Sequence, residues 1–439
     1  MSRFTAAIDL PFSRERVWNW HASPAALDRL IPPFSGVRIC RRAPALADGT
    51  EVELSVPVGP VRLRWLARHR EVIPGQSFID DEIHGPFPAW SHRHELADLD
   101  TGCRLIDTVD YTPPPLAGGM VLQDLQRTFR WRHARTREDL DRLADDGTPM
   151  RIAISGATGL VGTSLSAFLR SGGHTVVPLV RGRSDTPGIA WDPAAGTIDG
   201  AALRTCDAVV HLAGENIGQR WTTAVRGRLL SSRVAGTGLI ARTLAENPGQ
   251  VRAFVCASGI GRYGDTGTNE VQVGGPEGRG YLADIVRAWE AAADPARAVV
   301  RTVHLRLGVV LAADGGALAQ MLPAFRLGAG GPIGGGHQWL SWIGRDDAVY
   351  LFHRALRDGT LEGAVDAVAG ACPQAEFAHA LGHHLGRPSF LPLPAAAVRL
   401  LFGEMGRECL LASTRVATTP KHRFAQATLA DVFASELGT

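Results

Sequence analysis

The chain has 439 residues, 45% hydrophobic and 21% charged, with a formal net charge of +2. Such a length exceeds one ordinary core, so two or three domains are expected, with the balance of a soluble globular protein. The small net charge and the dispersal of the basic residues exclude any strong nucleic-acid signature, and no run of about 18 apolar residues is present to span a bilayer.

Six cysteines, at 40, 103, 206, 256, 372 and 409, lie far apart without a CxxC pair. They read as reduced thiols, which argues against a disulfide frame or a zinc site. The opening MSRFTAAIDLPFSRERVW lacks the apolar run of a signal peptide, so a cytoplasmic protein is expected. Of 46 basic residues, Lys421 alone is lysine.

Residues 3–10 alternate as a strand, and Ser13 is placed to cap a short helix running to Trp20. A second short helix is expected over 24–30, before Pro32 and Pro33. Strand patterns follow at 37–42, 51–56, 61–69, 77–83, 90–96 and 103–111, punctuated by Gly, Pro and Asp. The pattern then changes to a helix over 119–143, with Leu122, Leu125, Phe129, Leu140 and Leu143 at three- to four-residue spacings. ADDGTP breaks the chain before Met150 and sets an expected domain boundary at 148/149.

This element order, with HASPAALDRLIPPF, GPFPAWSHRHEL and the final helix, resembles the START-like, polyketide-cyclase-type superfamily. The resemblance implies an α+β helix-grip domain with a cavity for an apolar ligand. Trp18, Trp20, Trp65, Phe78, Phe87, Trp90 and Phe129 are candidates to line that cavity or to form ordinary core. His92 and His94 alternate on one strand face, but no third ligand stands at a telling spacing, so no metal site is expected.

Met150 to Arg183 carries the strongest pattern in the chain. An apolar strand, 151–154, leads into a turn with Gly156, Gly159 and Gly162, a helix over 160–171 and a second apolar strand, 174–180. The first glycine allows the tight turn, the second lets backbone approach a pyrophosphate, and the third lets helix pack on strand. The helix N-terminus presents free N–H groups to phosphate. Gly156, Thr158, Gly159, Leu160, Val161 and Gly162 are therefore candidate cofactor residues. After the second strand stand Arg181 and Arg183, with no acid until Asp185; arginine there accommodates the 2′-phosphate of NADP(H). The next buried strand, from Asp207, ends at Leu212, Ala213 and Gly214, which complete the expected nucleotide site.

Alternating strands and helices continue with a helix over 222–244, a strand over 251–257, a helix over 281–293 and a strand over 299–310. This predicts an α/β Rossmann fold, a doubly wound parallel sheet with ligand at the strand C-terminal ends. GATGLVG, DAVVHLAGENI, SRVAGT, ASGIGRYG, YLADIVRAWEAA, LRLGVVLAADGGAL, LGAGGPIGGGHQWLSWIGRDD and LFGEMGRECLLAS together resemble the epimerase-like family of atypical extended short-chain dehydrogenases/reductases. The resemblance implies a Rossmann core over about 149–311 and a substrate-binding lobe over about 312–439.

Enzymes of that superfamily pair a tyrosine with a lysine four residues later. Here Tyr281 is followed at that spacing by Ile285, and Arg287 falls on another face of the helix. Ser258 is a candidate to hydrogen-bond a substrate oxygen, and Tyr263 or Tyr281 to carry the proton. Arg262 replaces a second aromatic of the family's turn. Gln338, Trp339, Ser341 and Trp342, in a glycine-rich stretch, are implied in the substrate cleft, while Asp346 and Asp347 are expected to cap the helix that follows. The expected activity is that of an NADP(H)-dependent oxidoreductase or epimerase on a small, uncharged or apolar substrate. A binding protein that reads NADP(H) without turnover is the alternative, and the oligomeric state is open.

Overall fold

Period-two burial builds the first third of the chain. In this computed structural model, which describes residues 1–144, 147–182, 187–418 and 422–438, the strands are β1 (Ser2–Leu10), β2 (Arg38–Arg41), β3 (Glu51–Val58), β4 (Val61–Ile73), β5 (Ser77–His84), β6 (Ala89–Leu99) and β7 (Gly102–Thr112). The helices are α1 (Arg14–Ala22), α2 (Ala26–Leu30) and α3 (Gly118–Arg142). The strands form one sheet in the order β1-β7-β6-β5-β4-β3-β2, with antiparallel pairing throughout.

Ser13 does cap α1, its hydroxyl accepting from the Arg16 N–H. Along β7, Cys103, Leu105, Asp107, Val109 and Tyr111 are buried in alternation, so one face of the sheet is inside. Helix α3 packs Leu125 and Phe129 against Val109 and Tyr111. Phe129 is 2% exposed, and its truncation to alanine would cost about 3–5 kcal/mol. Of the expected cavity aromatics, Trp18, Trp20, Phe78 and Phe129 are buried. Trp65, Phe87 and Trp90 pack on one another with ring centroids 4.8–5.6 Å apart.

A contact-based division gives two compact units, one of residues 1–149, 167–173 and 435–439, the other of 150–166 and 174–434. In the second, β8 (Arg151–Ser155), α4 (Leu160–Ser171, whose residues from 167 on are counted with the first unit), β9 (Thr175–Val180), β10 (Ile189–Asp192), β11 (Thr197–Ile198), α5 (Gly200–Leu203), β12 (Ala208–His211), α6 (Thr223–Glu246) and β13 (Ala253–Gly259) come first. There follow β14 (Glu270–Val271), α7 (Tyr281–Ala291), α8 (Asp294–Arg297), β15 (Arg301–Leu307), β16 (Val309–Leu311), α9 (Gly316–Arg326), β17 (Trp339–Gly344), α10 (Arg345–Arg357), β18 (Gly363–Ala367) and β19 (Gly370–Pro373).

The main sheet runs β11-β10-β9-β8-β12-β13-β15-β18 and is parallel from β10 to β18. Strands β12 and β13 are buried along nearly their whole length, as strands covered on both faces must be. Strand order reverses at β8, between β9 and β12, which opens a crevice at the strand C-terminal ends. Helix α6 contributes Leu239, Ile240, Ala241 and Leu244 to the core around Val209 and Phe254.

The strand expected over 299–310 is two strands. Gly308 divides them, because a Cβ there would sit 3.0 Å from the Ser341 carbonyl oxygen. Strand β15 stays in the main sheet, while β16 joins β17 and β19 in a separate three-stranded sheet. The main sheet also takes its edge strand, β18, from beyond residue 311. Among the described residues no helix is long and apolar enough to cross a membrane.

Candidate active site at the strand ends

Three backbone approaches shape the loop after β8. Gly156 has φ +69°, and a Cβ on it would lie 2.8 Å from the Ala213 nitrogen. A side chain on Gly162 would run into the Gly156 carbonyl, so the start of α4 lies directly on the turn. Gly159 keeps more room, its nearest neighbour being the Gly156 oxygen at 3.3 Å from a built Cβ. Leu160, Val161 and Gly162 occupy the first turn of α4, where N–H groups have no partner within the helix. Thr158 lies in the loop that leads into it. The result is a small-residue concavity with N–H donors at a helix start, which fits a pyrophosphate.

Ser155 ties this loop to the next strand end. Its hydroxyl accepts from the Leu212 and Ala213 N–H groups, at 3.2 and 3.3 Å, and lies 2.6 Å from His211 Nδ1. With two donors already on the oxygen, the serine proton goes to Nδ1, which puts the histidine proton on Nε2. Burial, aided by the Arg233 charge, lowers the His211 pKa to about 3, so the ring is neutral. The SRVAGT motif completes the strand end. Ser232 accepts from the Glu215 N–H, Arg233 donates to the Glu215 carbonyl at 3.1 Å, and Gly214 packs over the Arg233 guanidinium. Arg181 follows β9 directly and is exposed; Arg183 lies outside the described residues.

Beside the crevice, the strand register assembles a charged row. Ser258 on β13 pairs with Arg306 on β15, and Arg306 with Asp366 on β18. Glu290 of α7 bridges the first two. Ser258 Oγ donates to Glu290 Oε1 at 2.7 Å, and Arg306 donates to both Glu290 oxygens at 2.8 Å. Tyr263, in the turn after β13, bridges the second pair, donating to Asp366 at 2.8 Å and accepting from Arg306 at 3.0 Å. Arg262 reaches Glu290 from the side, at 3.8 Å, and also pairs with Glu277.

Charge states follow from these contacts. Burial works to raise the Glu290 pKa, but the hydrogen bonds from Arg306 and Ser258 outweigh it and hold the carboxylate below its usual range. Burial, and then the neighbouring Asp366 carboxylate, push the Tyr263 phenol above its usual range. Tyr263 therefore keeps its proton near neutral pH, whereas Glu290 is ionised and already bonded to the Ser258 hydroxyl. The row can orient a substrate oxygen at Ser258 and receive a proton at Glu290.

Residues 152–366 match the NAD dependent epimerase/dehydratase family. The epimerase family protein SDR39U1 of Bos taurus is 40% identical over 273 residues, which cover 61% of this chain and 91% of that one. The chain belongs to the epimerase family.

This family member also matches the polyketide cyclase/dehydrase and lipid transport family over residues 10–134. Its fold is similar to the crystal structure of the nucleoside-diphosphate sugar epimerase from Corynebacterium glutamicum, with TM-score 0.80 and 32% identity over 99% of this chain and 90% of that one. The structure of human epimerase family protein SDR39U1 with NADPH is similar at TM-score 0.58 and 33% identity, covering 66% of this chain and 99% of that one.

Within the epimerase-family unit, the expected site residues separate into groups. Ser258 and Tyr263 share the charged row. Tyr281 stands apart at the start of α7. Its hydroxyl donates to the Arg226 carbonyl, its ring packs on Trp221 and under Arg226, and Glu408 accepts from the N–H groups of Tyr281 and Leu282. The C-terminal LFGEMGRECLLAS motif thus supplies the missing cap of α7.

Two of the four expected substrate residues spend polar groups on the fold, and a third is buried. Gln338 donates to the Ile333 and Leu410 carbonyls, Ser341 donates to the Thr414 carbonyl and accepts from the Val416 N–H, and Trp342 is 3% exposed. Trp339 stacks against Arg415 at 4.2 Å. Asp347 lies in the first turn of α10 and accepts from the Ala425 and Gln426 N–H groups. Asp346 shares that first turn, so both acids stand where the positive end of the helix favours them, while Gly344 holds the cap position itself.

Sequence reasoning missed Glu290, Arg306 and Asp366. A signal was present: Arg306 and Asp366 are charges inside otherwise apolar strands, HLRLGVVL and AVDAVAG, and buried charges of that kind need partners.

Proposed function

We propose that this chain binds NADP(H) in the Gly156–Gly162 concavity and exchanges hydride with a small, uncharged or apolar substrate, as an oxidoreductase or epimerase. The observation that carries the reading is the fit of the loop: two glycines whose places no Cβ could take, at the start of a helix and the end of a parallel strand. The NADPH in the structure of the human relative supports the same choice of nucleotide. So does the exposed Arg181 directly after β9, since an arginine at that point in such a unit accommodates a 2′-phosphate.

When bound, the nicotinamide supplies the hydride donor or acceptor. Ser258 and Glu290 supply the proton path. Because the Ser258 proton points at Glu290, its lone pairs are free to accept from a substrate hydroxyl. As the substrate carbon loses hydride, the hydroxyl proton moves to Ser258 and the serine proton moves to Glu290. Carbonyl reduction runs the same path backwards. Arg306 keeps Glu290 ionised and fixed, and Tyr263 and Asp366 hold Arg306. This arrangement takes the place of the absent tyrosine–lysine pair.

A screen of secondary alcohols and carbonyl compounds, followed at the nicotinamide absorbance with the wild type and Ser258→Ala, tests the reading. Turnover of at least one compound by the wild type, lost in the variant, is expected. Turnover that survives Ser258→Ala undiminished would remove the proposed proton path.

A further inference from the structure

In the N-terminal unit the sheet register and two helices bring together five imidazoles and two carboxylates. Asp80 on β5 pairs with His69 on β4 and His92 on β6, and His94 pairs with Asp107 on β7. Helix α3 adds His133. The contacts are dense. His92 Nε2 and His94 Nδ1 each lie 2.9 Å from Asp107 Oδ1, His133 Nε2 lies 2.7 Å from Asp107 Oδ2, and His94 Nε2 lies 3.3 Å from Asp80 Oδ2. His69 bonds the other Asp80 oxygen. His92, His94, His133 and Asp107 are each less than 10% exposed. His21 completes the five rings from α1, alongside His94.

The choice of partner is informative in so arginine-rich a chain. Two other largely buried carboxylates take guanidinium, Asp139 from Arg29 and Glu290 from Arg306. Every side chain bonded to Asp80 or Asp107 among the described residues is instead a histidine. Guanidinium has no lone pair for a metal, whereas neutral imidazole is a good ligand. One donor atom from each of Asp80, His92 and His94 lies within 4.8 Å of the others. Ligands about 2.1 Å from a tetrahedral ion stand about 3.4 Å apart, a distance small side-chain rotations would reach.

We propose that Asp80, His92 and His94 hold one divalent first-row transition-metal ion, with Asp107 as the outer carboxylate that orients the histidines. The expectation of no metal rested on the lack of a third ligand near His92 and His94 in sequence; the register supplies one from β5. Outer carboxylates on ligating histidines fix ring orientation and raise basicity, which is the relation Asp107 has to His92 and His94. Phe78 stacks on His94 at 4.1 Å and Phe129 meets His92 edge-on at 5.1 Å, giving the apolar collar of such a site. A narrow crevice lined by Trp18, His21, Phe78, His94 and Leu105 lies beside His94 and is too small to hold a water molecule. Two histidines and a carboxylate leave coordination positions open, as in sites that bind a small oxygen ligand.

The full-length protein, dialysed against EDTA, is titrated with Co²⁺ alone and read by visible absorption and calorimetry. One equivalent with ligand-field bands is expected, retained in His379→Gln and lost in His92→Gln and in Asp80→Asn. X-ray absorption on the wild-type Co²⁺ form, which needs no variant to fold, should show imidazole and oxygen ligands without sulfur. Failure of the wild type to take up Co²⁺, sulfur in its shell, or equal uptake by folded His92→Gln and Asp80→Asn would each overturn the proposal.

Discussion

Ser258 Oγ donates to Glu290 at 2.7 Å while Arg306 clamps both oxygens of the same carboxylate. The serine and the guanidinium therefore depend on Glu290 in different ways. Removing the Ser258 hydroxyl takes one donor from a carboxylate that keeps two. Ser258→Ala should leave the thermal midpoint nearly unchanged and lower kcat by about 10²–10⁴-fold, the range of a lost acid–base group. Glu290→Gln instead leaves Arg306 buried without its counter-charge, at a cost of about 3–5 kcal/mol. Thermal unfolding of the two variants side by side separates these outcomes.

The same pairing fixes where activity should fall with acid. Glu290 must be ionised to take the proton, and its pKa lies below the usual carboxylate range. A carboxylate with a lowered pKa stays charged until the pH falls below about 4.3, the unperturbed glutamate value. The acid limb of kcat should therefore lie below that value. A limb near pH 6 to 7 would assign the proton to another group.

Gly162 offers a steric test of the nucleotide loop. A methyl group there meets the Gly156 carbonyl, backbone that cannot swing aside as a long side chain could. Gly162→Ala should displace the start of α4 and weaken NADPH binding by about tenfold or more, with overpacking costing about 1–3 kcal/mol of stability. Nucleotide titration and thermal unfolding of the variant read both effects.

Arg181 bears on which nucleotide is preferred. A hydrogen bond to a charged group contributes about 1.5–3 kcal/mol, so Arg181→Ala should weaken NADPH by about 10- to 100-fold and NADH little. Parallel titrations with the two nucleotides measure the ratio. An unchanged ratio would move 2′-phosphate recognition elsewhere.

Buried histidines make stability depend on pH in a defined direction. Folded His211 titrates at about 3 and His304 at about 4, in both cases chiefly through burial. Unfolded, each takes a proton below about 6.5. Through that window the unfolded state binds more protons, so stability falls as the pH drops from 6.5, by up to about 1.4 kcal/mol per unit for each site. The slope of thermal midpoint against pH should be shallower in His211→Gln than in the wild type between pH 6.5 and 4. Equal slopes would contradict the neutral, buried ring.

Those positions also mark what could be seen in the sequence. The glycine loop was legible because its constraints are local: a positive φ at Gly156 and close approaches within a few residues. The short apolar runs in β12 and β13 announced buried parallel strands for a similar reason. The charged row was legible only at Ser258 and Tyr263, since Glu290, Arg306 and Asp366 come from three other elements and meet through register. At Gln338 and Ser341 polar side chains also serve the fold. Gln338, just before β17, and Ser341 within it bond to the carbonyls of Leu410 and Thr414. His92 and His94 could be placed on one strand face, but Asp80 and Asp107 reach them only across neighbouring strands.

Titration of the purified protein with NADPH and with NADH, followed by nicotinamide fluorescence and repeated with Gly159→Asp, tests the central claim most directly. Gly159 keeps open space where phosphate would approach, and a carboxylate there would repel it. Saturable binding that favours NADPH in the wild type and disappears in Gly159→Asp is the predicted result. Equal binding of NADPH by both proteins, or no binding of either nucleotide by the wild type, would contradict a dinucleotide site in this loop.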